Sequence, residues 1–324
     1  MGKYGTCLIA AAFMFAGTAH AATAETAYPA RPVRIIVPQT PGASTDLTAR
    51  LIAQKLNAVL GQPVIVENRP GAGSIVGTEI VAKATPDGHT LLVVASSIVL
   101  NPILQKNLPF DPQRDLAPIT QLSSFPNMLV VHPGVPVKTV QDLIALAKAK
   151  PGALNYGSAG TATGTHLSAE LFKYMTGTEM VHVPYKGGGA AIPALLGGQV
   201  QLMFSSTVAA FPHVRAGKLR AIAVTSPQRS PGAPEVPTIA ESGVPGYDHT
   251  PWNGFFAPAK TPRPIIERLN TEVARIIHAP ETKAIFTNDG AEPVGNKPEA
   301  FAAIIKSETA KWTKVIRAAG IKAD

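Results

Sequence analysis

Cysteine is almost missing from this 324-residue chain, with Cys7 its only example. One thiol forms no intramolecular disulfide, and it builds no cysteine-based metal site. Charged residues are sparse as well, at 15%. The basic ones are scattered, as at Lys138, Lys148 and Lys150, and no basic tract carries interleaved aromatics. That pattern excludes the usual footprint of a nucleic-acid binder. No apolar run reaches the roughly 20 residues that a membrane-spanning helix needs. Catalytic and cofactor motifs are absent too. The chain has no G-x-S-x-G, no H-E-x-x-H and no G-x-x-x-x-G-K-[ST]. Gly71-x-Gly73-x-x-x-Gly77 misses the dinucleotide fingerprint by one position, and the eight histidines lack metal-ligand spacing. The expectation is a protein without metal or cofactor.

What is present begins with an export signal. Lys3 precedes an apolar run over residues 8–16, followed by Ala19-His20-Ala21 with small residues where a signal peptidase cuts. Residues 1–21 are therefore expected to be removed, and Cys7 with them. An exported, disulfide-free protein of this size suits the bacterial periplasm. The remaining 303 residues exceed a usual single domain, so two lobes are expected. The net charge is +8, or +7 without Lys3, and favours anionic partners.

Hydrophobic patterning predicts alternating strands and helices. Strands are expected at 34–37, 64–66 and 91–94, with helices at 45–60 and 74–84. Leu47, Leu51, Ile52, Leu56 and Leu60 are assigned to one apolar stripe of the first helix. After a linker-like stretch the pattern restarts. Strands are expected at 128–131, 154–156, 181–183, 200–204 and 219–224, with helices at 139–150, 166–175 and 190–196. A last strand at 254–257 and helices at 264–277 and 298–319 are expected to return to the first lobe. The fold class is thus α/β, with two doubly wound, mostly parallel lobes. The predicted division is 28–125 with 250–324 for one lobe and 126–249 for the other, with two crossings forming a hinge. Trp252, at the second crossing, is expected to be a packed hinge aromatic.

In open parallel sheets ligands bind outside the carboxyl ends of the strands. Two polar, glycine-containing loops occupy equivalent places there. The first carries Gln39, Gly42, Ala43, Ser44, Thr45 and Asp46, and the second Ser158, Ala159, Gly160, Thr161 and Thr163. Helix starts present unpaired N–H groups and positive partial charge, so such loops suit a carboxylate. Ser44, Thr45, Asp46, Thr163 and Thr165 also suit plain helix capping. Ser96-Ser97 and Ser205-Ser206-Thr207, each ending a predicted strand, are further candidates.

Several stretches resemble the Bug-type receptors of tripartite tricarboxylate transporters. They include Tyr28-Pro29-x-Arg31-Pro32-Val33, Pro41-Gly42-x-x-x-Asp46, Glu67-Asn68-Arg69-Pro70-Gly71-Ala72-Gly73 and Pro86-Asp87-Gly88-His89-Thr90. Asn155-Tyr156-Gly157-Ser158, His182-Val183-Pro184-Tyr185-Lys186-Gly187 and Ala216-Gly217-Lys218-Leu219-Arg220 continue the likeness over essentially the whole chain after the signal. The resemblance implies a type II periplasmic binding protein fold that closes about a two-strand hinge. It implies a small carboxylate ligand, such as a di- or tricarboxylate, an acidic amino acid or an aromatic acid, gripped by 42–46 and 158–163, with membrane permease subunits as partners and no catalysis; a monomer is expected. Two positions depart from the family pattern: Ala43 replaces a second glycine, and Ser205 replaces an aspartate suited to a ligand ammonium. A ligand without an amine is therefore expected. A secreted hydrolase with a dispersed triad and a ligand-sensing partner of a membrane kinase are the alternatives.

Overall fold

A computed structural model describes residues 1–2, 28–105, 107–185, 188–288 and 290–321. The expected signal after residue 2, with Cys7, lies outside the described residues, as do Lys186 and Gly187 of the family motif.

The first part of the chain runs β1 (Val33–Val37), α1 (Ser44–Leu60), β2 (Val64–Asn68), α2 (Ile75–Ala82), β3 (Thr90–Ala95), the single turns α3 (Asn101–Leu104) and α4 (Pro112–Asp115), and β4 (Leu116–Ser124). The second runs β5 (Asn127–Val131), α5 (Val140–Ala149), β6 (Asn155–Ser158), α6 (Gly164–Thr176), β7 (Val181–Pro184), α7 (Gly188–Leu196), β8 (Leu202–Ser206), α8 (Thr207–Arg215) and β9 (Arg220–Val224). The chain then adds β10 (Trp252–Pro258), α9 (Arg263–His278), α10 (Pro280–Asn288), β11 (Glu292–Pro293) and α11 (Pro298–Ala319).

Local chemistry explains many boundaries. Val33, Ile35, Ile36 and Val37 of β1 are fully buried. A strand covered by helices on both faces reads as one apolar run for that reason. α1 stops at Gly61, which takes the left-handed conformation common after a helix end. α5 starts with a reciprocal capping box between Thr139 and Asp142. In α9, Ile266, Leu269, Val273, Ile276 and Ile277 form the buried stripe.

The strands form two sheets, ordered β11-β4-β10-β3-β1-β2 and β7-β6-β8-β5-β9. Each sheet is mixed rather than mostly parallel. β1 pairs parallel with β2 and β3, but β10 is antiparallel to both β3 and β4. β6 pairs parallel with β7 and β8, whereas β5 is antiparallel to β8 and β9. The reason is directional: β5 and β10 each enter a sheet from the gap between the two, so they run against strands that end there. The expected linker before β5 contains β4, a nine-residue strand. Its polar composition hid it. Thr120 and Gln121 are buried because Asn296 meets them, accepting from Thr120 Oγ1 through its carbonyl at 2.7 Å and from Gln121 N through Oδ1 at 2.9 Å.

The two crossings are bonded together. Phe125 N donates to Pro251 O at 2.7 Å, Asn127 N to Thr225 Oγ1 at 2.8 Å, and His249 N to Thr225 O at 3.0 Å. Trp252 is buried beside them as expected of a packing residue. Its ring meets Phe301 edge-on at 5.0 Å and its Nε1 donates to Glu308 Oε2 at 2.8 Å. Gly254 follows from that packing, since a Cβ there would lie 2.5 Å from Phe301 Cζ. One apolar cluster continues from Leu129, Phe172 and Phe204 through Tyr247 to Trp312 and Phe301, joining the second sheet to α11.

Candidate functional site

β1 ends at the gap, and the loop after it turns at Gly42 with a φ of 83°. Asp46, 1% exposed, holds that loop together. Its carboxylate accepts from Gly42 N at 2.9 Å, Asn68 Nδ2 at 2.9 Å and Arg50 Nε at 3.0 Å. Burial alone would raise its pKa, but these three donors outweigh burial and hold the carboxyl below the ordinary range. Thr45 Oγ1 donates to Asn253 Oδ1 at 3.0 Å, and Asn253 Nδ2 donates to Thr48 Oγ1 at 3.2 Å. The start of α1 is thereby anchored to β10.

The second loop is held by neutral groups. Thr165 Oγ1 accepts from Ala159 N at 2.8 Å, Ser158 Oγ from Gly160 N at 3.1 Å, and His166 Nδ1 from Ala162 N at 3.0 Å. Thr163 Oγ1 donates to Gly160 O at 2.7 Å. Ala162 carries a φ of 59°, a left-handed conformation that a non-glycine residue adopts at some cost. Behind the loop, His166 stacks on His182 with 3.9 Å between ring centres, and His182 Nε2 lies 2.6 Å from Ser158 Oγ. Tyr156 OH donates to Glu170 Oε1 at 2.5 Å, where Lys173 Nζ also donates at 2.6 Å. Burial and the neighbouring carboxylate both push the Tyr156 phenol far above its usual range. α6 begins hard against the second crossing, because a Cβ on Gly164 would lie 2.9 Å from Pro251 Cγ.

Two cavities open between the sheets. One, of about 870 Å³, is lined by Gln39, Ser97, Thr161 and Thr163; the other, of about 680 Å³, by Ser44, Asn127, Thr165 and Ser206. Both share Ala95, Ser96, Gly164 and Pro251. Among the described residues, no Lys, Arg, Asp or Glu lines either one. Positive partial charge is available instead from the backbone. Ser44 and Gly164 are the first residues of α1 and α6, Ser206 precedes α8, and Ser96 opens a 3₁₀ turn. N–H groups in a first helical turn have no acceptor within their own helix and carry partial positive charge. An anion here would meet neutral donors from both sheets.

The sequence-predicted residues divide accordingly. Gln39, Ser44, Ser96, Ser97, Thr161, Thr163 and Ser206 line these cavities. Thr45, Asp46, Ser158 and Ser205 are buried, and the first three bond within or behind their loops. Ser205 Oγ donates to the neighbouring Ser206 carbonyl at 3.3 Å. The N–H groups of Gly42, Ala159 and Gly160 already donate to side chains of their own loops. Ala43 N donates to Thr40 O at 3.3 Å. Thr207 lines a separate 520 Å³ cavity and donates across the gap to Gly290 O at 3.3 Å.

Sequence reasoning missed other lining residues. The stretch Gly71 to Ser74 lines the larger cavity, with left-handed φ values of 45° at Ala72 and 79° at Ser74. Its paired glycines were the available signal, but they read as a failed nucleotide motif and a family stretch rather than as a ligand loop. Asn101 and His249 line the same space, while Phe125, Ile285 and Phe286 line the smaller one. Leu47, assigned to the buried stripe of α1, is instead 54% exposed and lines the smaller cavity. The buried face of α1 is rotated toward Thr45, Thr48, Ala49 and Ile52.

Comparison with known proteins fits this architecture. Residues 48–321 match the family described as the tripartite tricarboxylate transporter family receptor. BugT of Bordetella pertussis is 38% identical over 309 residues, 95% of this chain and 94% of its own. Among solved structures, R. palustris Rpa4515 with adipate has a TM-score of 0.77 and 38% identity, covering 91% of this chain and 99% of that one. MatC from Rhodopseudomonas palustris with bound malate has a TM-score of 0.73 and 33% identity, covering 89% and 100%. The two-sheet architecture is that of the solute-binding proteins in this set, and the chain belongs to the tripartite tricarboxylate transporter receptor family.

Proposed function

We propose that this protein is a periplasmic receptor that captures a small organic carboxylate between two lobes and performs no chemistry on it. One observation carries the reading: helix starts from both sheets, at Ser44, Ser96, Gly164 and Ser206, line one cavity free of charged side chains among the described residues. The adipate and malate carried by the two R. palustris relatives support a carboxylate as the class of ligand. The lobes are 28–125 with 250–324, and 126–249. They close about the bonded crossings at Phe125 and Pro251, and closure excludes water from the ligand's hydrogen bonds. Residues 1–21 direct export, and the closed monomer hands its ligand to membrane permease subunits.

The serine–histidine pairs support a non-catalytic reading. Ser158 and Ser168 lie 2.6 and 2.8 Å from His182 Nε2 and His249 Nδ1, yet both serines are fully buried. A nucleophile must reach its substrate, and neither serine lines either of the two cavities. An amine-bearing ligand is disfavoured as well, because no carboxylate lines the two cavities among the described residues.

Calorimetry with the monocarboxylates benzoate and 3-phenylpropionate, the dicarboxylates succinate, adipate and malate, and aspartate tests the proposal. The expected result is one-to-one binding of an unaminated acid, weaker binding of aspartate, and a smaller radius of gyration on saturation. Binding of aspartate more tightly than succinate would overturn the amine-free assignment. Failure of every carboxylate tried, or turnover of an ester panel, would overturn the receptor reading.

A further inference from the structure

The walls of the smaller cavity change character along α1. Ser44, Leu47, Thr48 and Leu51 all line it, at the three- and four-residue spacing of one helix face. Ser44 is the first residue of the helix, where N–H groups are free to bind an anion. One turn further in stands Leu47, 54% exposed, and two turns in stands Leu51. Ile285 of α10, 42% exposed, and Phe286 line the same space. Grouped in one concave wall, these side chains form an apolar surface that the body of a ligand can cover. From Ser44 to Leu51 the rise along the helix is about 10 Å, enough for a carboxylate carrying one ring or a short branched chain.

Resting on the receptor reading above, we propose that the ligand is an amphipathic monocarboxylate, whose anionic end meets the start of α1 while its apolar body lies against Leu47, Leu51 and Ile285. A second carboxylate at the far end would be desolvated against this aliphatic wall, with no cationic side chain lining the cavity among the described residues. The wall therefore selects for one charge, while the helix starts select for its sign.

The test is calorimetry on the full mature chain with 3-phenylpropionate, adipate, malate and the uncharged 3-phenylpropanol, repeated for Leu47→Asn and Ile285→Asn. Both substituted side chains are exposed, so the variants are expected to fold, which circular dichroism and thermal melting check. 3-Phenylpropionate is expected to bind about tenfold or more tightly than adipate or malate, and the alcohol much more weakly. Each variant is expected to weaken 3-phenylpropionate by about fivefold or more while changing adipate by less than about twofold. Adipate or malate binding as tightly as 3-phenylpropionate would overturn this inference and leave the receptor reading intact. So would equal weakening of all acids by the variants. Binding of none of the acids would overturn both.

Discussion

The two strand–helix loops look alike in sequence and are held by different chemistry. The loop before α1 is gathered by one buried carboxylate, Asp46, which collects a backbone amide, an asparagine and an arginine. The loop before α6 is gathered by a serine, a threonine and an imidazole, each accepting one backbone amide. A charged acceptor makes stronger hydrogen bonds than a neutral one, so the first loop is expected to be the more firmly held. The imidazole of the second loop can accept from Ala162 only while His166 Nδ1 is unprotonated. The two loops are thus held by acceptors of different charge and strength.

The comparison can be broken most directly at Asp46. Asp46→Ala leaves three donors without their acceptor and should cost about 2–3 kcal/mol, read as a lower urea midpoint with unchanged slope. A cost below about 0.5 kcal/mol would show that the carboxylate is not what holds the loop.

In the second loop, His166→Ala should cost about 1–2 kcal/mol and weaken ligand binding about tenfold, since Ala162 loses its acceptor. His166→Asn, which offers an amide oxygen, should recover part of the affinity. Equal loss in both variants would mean that packing against His182, rather than the hydrogen bond, sets the loop.

Acid sharpens the contrast between the two helix anchors. His249, which lies 2.8 Å from Ser168 of α6, is pushed well below the usual imidazole range by burial and by nearby Lys311. The unfolded chain takes a proton near pH 6.5 while the folded one resists it, so stability falls as pH drops below about 6.5, by at most about 1.4 kcal/mol per unit. Asp46 behaves differently: its contribution is full above the ordinary carboxyl value near 3.9 and is lost only as pH falls through its lower folded value. Melting temperatures from pH 7.5 to 5 should therefore decline in the parent and decline less in His249→Asn. An identical slope in both would remove His249 as the cause.

The smallest effect is expected at Gly42. Gly42→Ala forces an alanine into left-handed φ where a Cβ meets nothing within 4 Å. The cost should be about 1 kcal/mol, purely conformational, with ligand affinity unchanged because its amide still donates to Asp46. A large loss of affinity would mean that the loop backbone itself touches ligand.

Much of this was legible in advance where local rules dominate. Buried strands such as β1 and β5 announce themselves as apolar runs, and α9 by its stripe, because periodicity reports burial directly. β4 was illegible because two of its buried polar residues, Thr120 and Gln121, are met by Asn296, a residue 176 positions from Thr120. No local pattern encodes such a partner. Leu47 misled for the reverse reason, an apolar side chain at stripe spacing that the fold leaves facing a gap.

The sequence alone was enough to establish the alternation of strands and helices, the family, and the polar loops at strand ends, since all three depend on neighbours in the chain or on whole motifs. Tertiary structure decided which amides of those loops remain free, because that depends on where Asp46, Thr165 and His166 place their acceptors. It also decided that helix starts from separate sheets meet at one cavity with an aliphatic wall. Distances between segments that far apart are set by packing of the whole molecule, and no local stretch of residues contains them.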